Sequence, residues 1–388
     1  MQMHTLFYLA LMIFSGLILG RAVKQIRLPN VTGYLIAGLL IGPYVLKLIP
    51  ADITHQFDII SEVALAFIAF SIGSEFKWEY LKKVGAAPVI IAVFEALAAT
   101  VFVFAILVSL GFDVEISLLL GAIASATAPA ATIMVVKQYG AKGPVTQTLL
   151  SVVALDDAIA LIAFGFSMAT VNTLINPSDA SVFMTIAKPI VEIFGSIILG
   201  IALGFVFSFT LRFFKKDSNR MIITVGFIFL AAAAASMLGL SSLLLCMSMG
   251  MALINTGESG LAVFKLTDYI TPPIFLLFFV ISGAELDITI LPNIGIIGIM
   301  YLIFRVIGKI LGAAMGAIIS KAPLAVRKYL GYTLIPQAGV AIGLSLIASQ
   351  TLPEYGRTIR AVVLCATMIY ELVGPAVTKL GLKKAGEI

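Results

Sequence analysis

Asp156 and Asp157 stand side by side in SVVALDDAIALI (151–162), a stretch otherwise built from small and apolar residues. Where the surroundings are lipid, a mid-segment carboxylate costs about 2.5–3.5 kcal/mol on insertion scales, so such groups read as functional. Adjacent helical residues point about 100° apart, and the two need not share a partner. One can meet a fixed cation while the other faces a wet cavity. Arg305 and Lys309, one helical turn apart on another apolar segment, offer that cation. A buried ion pair accounts for one aspartate and leaves the second free to hold either a proton or a small cation. The chemistry expected is competitive binding without bond making, and no cofactor is called for.

A hard monovalent ion favours oxygen ligands. SATAPAAT (125–132) supplies Ser125, Thr127 and Thr132 around Pro129, and TLIPQAGV (333–340) places Pro336 and Gln337 in a second apolar segment. Proline removes a backbone donor and disturbs a helical turn. In lipid such a break is tolerated where it lines a cavity or finds partners, so freed backbone carbonyls are further expected ligands. Glu95 and Glu371 also fall within apolar segments, with structural or functional roles open. Glu62, Glu75 and Glu285 lie nearer segment ends, where a solvated or interfacial role is expected.

The elements that must position these groups are membrane helices. Of 388 residues, 61% are hydrophobic and 12% charged, about half the charge of soluble domains. Continuous apolar runs without alternation point to helices rather than a barrel. About thirteen spans are expected, near 5–22, 31–48, 58–74, 86–110, 116–136, 145–170, 186–211, 220–238, 241–256, 270–286, 293–319, 329–350 and 358–379. Nineteen of the 25 Lys and Arg fall in alternate loops, against Lys47, Lys188, Arg357 and Arg360 in the opposite set. This asymmetry predicts an outside N-terminus and a cytoplasmic C-terminus. The net charge of +5 is then an orientation signal and not a nucleic-acid footprint. Cys246 and Cys365, both in apolar segments, imply neither a disulfide framework nor a metal site. No loop is long enough for a soluble regulatory domain, and none is expected.

FSIGSEF (70–76) is similar to VISGAEL (280–286), with Gly73 and Glu75 matched to Gly283 and Glu285 at an offset of 210. Pro129 and Pro336 repeat at nearly the same offset. Two inverted six-helix repeats joined by the seventh span follow, with spans five and twelve broken. Paired interruptions of this kind mark secondary transporters. Glu95 occupies the position repeat-equivalent to Arg305.

LDDAIA, TAPAAT, RVIGKILG (305–312) and LPNVTGYLIAGLLIGP (28–43) together resemble the monovalent cation:proton antiporter-2 family, of the bacterial sodium/proton antiporter type, over essentially the whole chain. The resemblance implies crossed broken helices in a core domain of roughly 58–170 and 270–379. It implies a dimerisation domain of roughly 1–48 and 220–256, with 186–211 linking. Exchange of Na+, or of Li+ or K+, for H+ by elevator-type alternating access is implied, in a homodimer of the bacterial inner membrane serving pH homeostasis. By motif position Asp157 carries the transported ion or proton. Asp156 pairs with a basic residue for which Arg305 is the best match and Lys309 the second. Two departures bear on selectivity and stoichiometry: Ala128 stands where some relatives carry Asp, and sodium-selective relatives often carry lysine at the basic position, so that Arg305 there favours one-for-one exchange whereas Lys309 there leaves electrogenic exchange open.

Three other classes compete. A Na+- or H+-coupled symporter of an organic anion needs a roomier polar site. An intramembrane aspartyl protease needs carboxylates that face each other, whereas helical neighbours diverge. No zinc spacing accompanies the only histidines, His4 and His55. A receptor on a transporter scaffold lacks a signalling domain.

Overall fold

The computed structural model describes residues 4–25, 28–79, 82, 85–175, 182–286 and 291–388. Arg27 and Lys83 of the basic loops lie outside the described residues. Among those described, all regular structure is helical. The helices are α1 (Thr5–Gln25), α2 (Asn30–Ile41), α3 (Ala51–Gln56), α4 (Asp58–Gly73), α5 (Ala86–Ser109), α6 (Val114–Ala124), α7 (Pro129–Tyr139) and α8 (Pro144–Ile175). They continue as α9 (Val182–Leu211), α10 (Asp217–Leu238), α11 (Ser242–Ile254), α12 (Glu258–Ala284), α13 (Leu291–Ile319), α14 (Leu324–Tyr329), α15 (Gly339–Thr351) and α16 (Pro353–Lys384). Among the described residues nine helices are long and apolar enough to cross a bilayer, and four shorter apolar ones (α2, α6, α11, α15) accompany them.

Local chemistry sets the boundaries. The second span, expected to run to 48, stops as a helix at Ile41. Gly42 adopts extended geometry there because Pro43 disfavours helical geometry in the residue before it. The tenth, expected from 270, starts at Glu258 and continues through Pro272 and Pro273. Both prolines are breaking residues by propensity, yet the helix absorbs them.

The chain divides into two compact units. The first comprises Met1–Ser61, Ala86–Ile159 and Phe275–Ile388, and the second Glu62–Gly85 and Ala160–Ile274. Residues 1–48 fall in the first unit and 220–256 in the second. Within the second unit an aromatic stack runs from Phe264 (α12) through Phe70 (α4) and Phe207 (α9) to Phe227 (α10), with neighbouring ring centroids 4.7, 6.3 and 4.5 Å apart. A β-carbon at Gly73 would lie 2.2 Å from Met247 O, and one at Gly250 would lie 2.2 Å from Phe70 O.

In the first unit α2 meets α12 in the same manner. A β-carbon at Gly38 would lie 1.9 Å from Val280 O, and one at Gly283 would lie 2.1 Å from Leu35 O. A core of Tyr8, Met12, Ala37, Ile41, Leu276 and Val280 surrounds this contact. The most extensive helix–helix contact runs along α5 and α13. Gly308, Gly312 and Gly316 recur at four-residue spacing, and β-carbons there would fall 2.6–2.7 Å from Cα atoms of Ala99, Glu95 and Ile91. Small residues at this spacing let two helical backbones touch within a bilayer. That contact brings Glu95 of α5 beside Lys309 of α13.

Candidate functional site

Both proline-marked segments are broken where expected. α6 ends at Ala124 and α7 starts on Pro129, with non-helical chain between. A 3-10 turn, Leu330–Thr333, is followed by irregular chain up to α15 at Gly339. The two breaks meet. Ala128 N–H donates to Pro336 O at 2.9 Å, and Thr132 Oγ1 donates to Thr333 O at 3.3 Å. Ala128, Ala131 and Ala338 pack together beneath Val31. Small side chains permit this approach, and each break supplies partners for the other's freed backbone.

Two cations from one face of α13 enter the crossing. Arg305 is fully buried. It donates from Nε to Ala124 O at 2.9 Å, from Nη1 to Ile335 O at 2.6 Å, and from Nη2 to Ala126 O at 2.7 Å and Pro336 O at 3.4 Å. Its guanidinium carbon lies 4.5 Å from the Tyr370 ring centroid. The planar fork of donors spans both breaks at once. One turn on, Lys309 Nζ reaches Asp156 Oδ2 at 3.0 Å, Glu95 Oε2 at 2.7 Å and Thr127 Oγ1 at 2.8 Å, and donates also to Ser125 O.

The expected order of the two cations is therefore reversed. Lys309 meets Asp156, while Arg305, the better motif match, is spent on backbone carbonyls. The physical reason is reach. The broad guanidinium satisfies four scattered carbonyls, whereas an ammonium concentrates its charge on a tight group of oxygens. Glu95, left between structure and function by the sequence, belongs to this cluster. The GxxxGxxxG spacing at 308–316 was the available signal, because it forces α5 against the Lys309 turn.

α8 carries the aspartates through the interior. Its most apolar window is 71% buried, against 22% for α10. Asp156 is fully enclosed and Asp157, the next residue, keeps 7% exposure. Ser125 contributes its carbonyl, since its hydroxyl donates to Ala122 O at 2.6 Å. Thr132 is likewise engaged, on Thr333 O and Ala128 O. Gln337 Nε2 donates to Ile123 O at 3.0 Å and to Tyr301 Oη at 2.9 Å, which holds the second break without charge. Glu371 lies apart from the Lys309 cluster. It is buried against α2, where Thr32 Oγ1 donates to its Oε2 at 3.4 Å. Outside the crossing, Glu285 pairs with Arg360 on the wall of a cavity of about 460 Å³ that Asp58 and Arg357 also line.

Of the first-break carbonyls, those of Ala124 and Ala126 are thus engaged by Arg305, that of Ser125 by Lys309 and that of Ala128 by Thr132. The Thr127 hydroxyl accepts from Lys309 and donates to Leu334 O at 3.5 Å.

A family model described as sodium/hydrogen exchanger, transmembrane, matches residues 9–384. The chain is 24% identical to the Na+/H+–K+ antiporter GerN of Bacillus cereus, over 95% of each chain. It is 22% identical to the ammonium/H+ antiporter subunit AmhT of Alkalihalophilus pseudofirmus, over 81% of this chain and 79% of that one. Among solved structures it resembles the sodium proton antiporter MjNhaP1 of Methanocaldococcus jannaschii at pH 8. That match has a TM-score of 0.80 and 18% identity, and it covers 98% of each chain. At that identity the likeness is one of fold.

Proposed function

The chain belongs to the sodium/hydrogen exchanger family, and from that premise we propose that it exchanges a monovalent cation, sodium first among the candidates, for protons across a membrane. The observation that carries this reading is the buried cluster of Asp156, Glu95 and Lys309 at paired helix breaks, with Asp157 beside it. Asp157 takes a proton or an alkali cation in turn, and this exclusion couples the two fluxes. Asp156 and Glu95 fix Lys309, and Thr127 offers a neutral oxygen.

Counting charge proposes the stoichiometry. Glu95, Asp156 and Asp157 bring three negative charges, and Lys309 and Arg305 two positive ones. One negative charge is left, which either a single proton or a single monovalent cation cancels. With all five groups ionised, burial in low dielectric favours the neutral total, and one-for-one, electroneutral exchange is the stoichiometry this count proposes.

Thirteen crossings, with an outside N-terminus and a cytoplasmic C-terminus, suit the nine long and four short apolar helices. The inverted repeat is supported by the glycine contacts, since Gly73 and Gly283 are 210 apart, and Gly38 and Gly250 are 212 apart. Elevator-type alternating access, a homodimer, the bacterial inner membrane and a role in pH homeostasis complete the proposal.

Proteoliposomes with an internal pH dye test it. Adding Na+, Li+ or K+ outside should collapse an imposed proton gradient, at a rate unaffected by clamping the membrane potential. Asp157→Asn should lower that rate by about 100-fold or more while leaving thermal stability intact. Proton movement that survives this substitution with unchanged cation dependence removes Asp157 from its role. A potential-dependent rate refutes one-for-one exchange.

A further inference from the structure

The segment after α16 folds back onto the helix that carries the aspartates. Gly386, at φ +74°, turns the chain, and Glu387 N–H donates to Leu382 O at 3.0 Å. This turn lays the Glu387 side chain against the first turn of α8. Glu387 Oε1 accepts from Val145 N–H at 2.7 Å. Its Oε2 accepts from Thr146 N–H at 2.8 Å and from Thr146 Oγ1 at 2.6 Å. The Glu387 carbonyl accepts from Lys142 N–H at 3.2 Å.

The first N–H groups of any helix lack acceptors within it. Usually a Ser, Thr, Asp or Asn just before the helix supplies one. α8 has Gly143 there. Its φ of +159° is a glycine conformation, and a β-carbon on it would lie 2.4 Å from Glu387 Cδ. The glycine leaves the space that the distant carboxylate fills. Two more contacts hold the same stretch of chain. Lys379 Nζ sits 4.5 Å from the Tyr139 ring centroid at the end of α7. A β-carbon at Gly381 would lie 3.0 Å from Tyr332 Cβ, in the 3-10 turn before the second break. Residues 379–387 thus grip the start of α8 together with one end of each broken segment.

A stabilising cap alone would account for one such contact. The convergence of all three on the elements that bear the site goes further. α8 is a stiff rod, and Asp156 lies 12 residues from Pro144, about 18 Å along its axis. Displacing the rod by about 1 Å would misplace the aspartates by as much, enough to degrade a site whose contacts are hydrogen bonds. We propose that Glu387 is a positioning residue: its carboxylate sets the axial position of α8, and with it the placement of Asp156 and Asp157 against Lys309 and the first break. The proposal rests on the reading that Asp157 binds the transported cation.

The test uses the full chain in lipid, with Glu387→Ala, Glu387→Gln and Gly143→Ala. Hydrogen exchange over the first turn of α8 should quicken about tenfold in Glu387→Ala and less in Glu387→Gln, which keeps one acceptor oxygen. In transport, Glu387→Ala should raise the sodium KM about fivefold with Vmax within about twofold and a melting temperature lowered by only about 1–3 °C. Glu387→Gln should recover part of that KM, and Gly143→Ala, which pushes the carboxylate out, should reproduce the alanine effect. Unchanged exchange at 145–146 overturns the capping. A fall in Vmax that tracks stability at constant KM overturns the positioning role. If the unaltered protein moved no cation against protons, the antiport reading would fail while the exchange measurement still judged the cap.

Discussion

The two helix breaks are alike in sequence and unlike in what fills them. Each has a proline among small residues, and each gives up carbonyls to Arg305. At the first, Lys309 also lands on Ser125 O and Thr127 Oγ1 and brings Asp156 and Glu95 with it. At the second, the other partners are neutral: the Gln337 amide and Tyr301 hydroxyl, the Ala128 N–H and the Thr127 and Thr132 hydroxyls. Proline and small residues therefore specify a break. Charges delivered from other helices specify which break does chemistry. In the proposed mechanism the first is the chemical centre, and the second is the frame that faces it.

The comparison is most severely tested at Lys309. Lys309→Ala strands Asp156 and Glu95 in the interior, and removing one partner of a buried ion pair costs about 3–5 kcal/mol. Exchange should be lost, and the melting temperature should drop. Adding Glu95→Gln should recover part of the stability without restoring transport; equal stability of the single and double variants would show that the two carboxylates do not share the lysine. Arg305→Lys comes next. One ammonium cannot span four carbonyls, and the loss should be about 2–3 kcal/mol of stability with transport impaired through both breaks. A melting temperature matching that of the unaltered protein would mean the carbonyls are satisfied in another way. The smallest effect belongs to Gln337→Ala, which removes neutral hydrogen bonds worth about 1–2 kcal/mol and should leave the sodium KM within about twofold. A KM shift as large as that of a first-break variant would erase the distinction between the two breaks.

Much of this was legible beforehand, for reasons that differ from residue to residue. Adjacent carboxylates in an apolar run and prolines amid hydroxyls announce themselves, because lipid makes both costly. The family followed from the same residues. The choice between Arg305 and Lys309 did not, because two cations one turn apart share a face and only the approach of α5 decides which meets a carboxylate. That approach is written in Gly308, Gly312 and Gly316, a spacing legible in principle. The engagement of the first-break carbonyls was out of reach of sequence, since backbone oxygens carry no letter of their own. The C-terminal cap was hidden differently. Its signal is a missing residue, Gly143 where a capping side chain belongs, and the replacement lies more than 240 positions away.

Arg305 on its four carbonyls also constrains what a travelling ion can do. A broken helix in a membrane exposes a rigid set of oxygens well suited to strip water from an alkali metal. In this molecule that berth has a permanent tenant, whose charge never dissociates. A passing ion must be received by side-chain oxygens that swing, or must first evict the guanidinium from both strands of the crossing together.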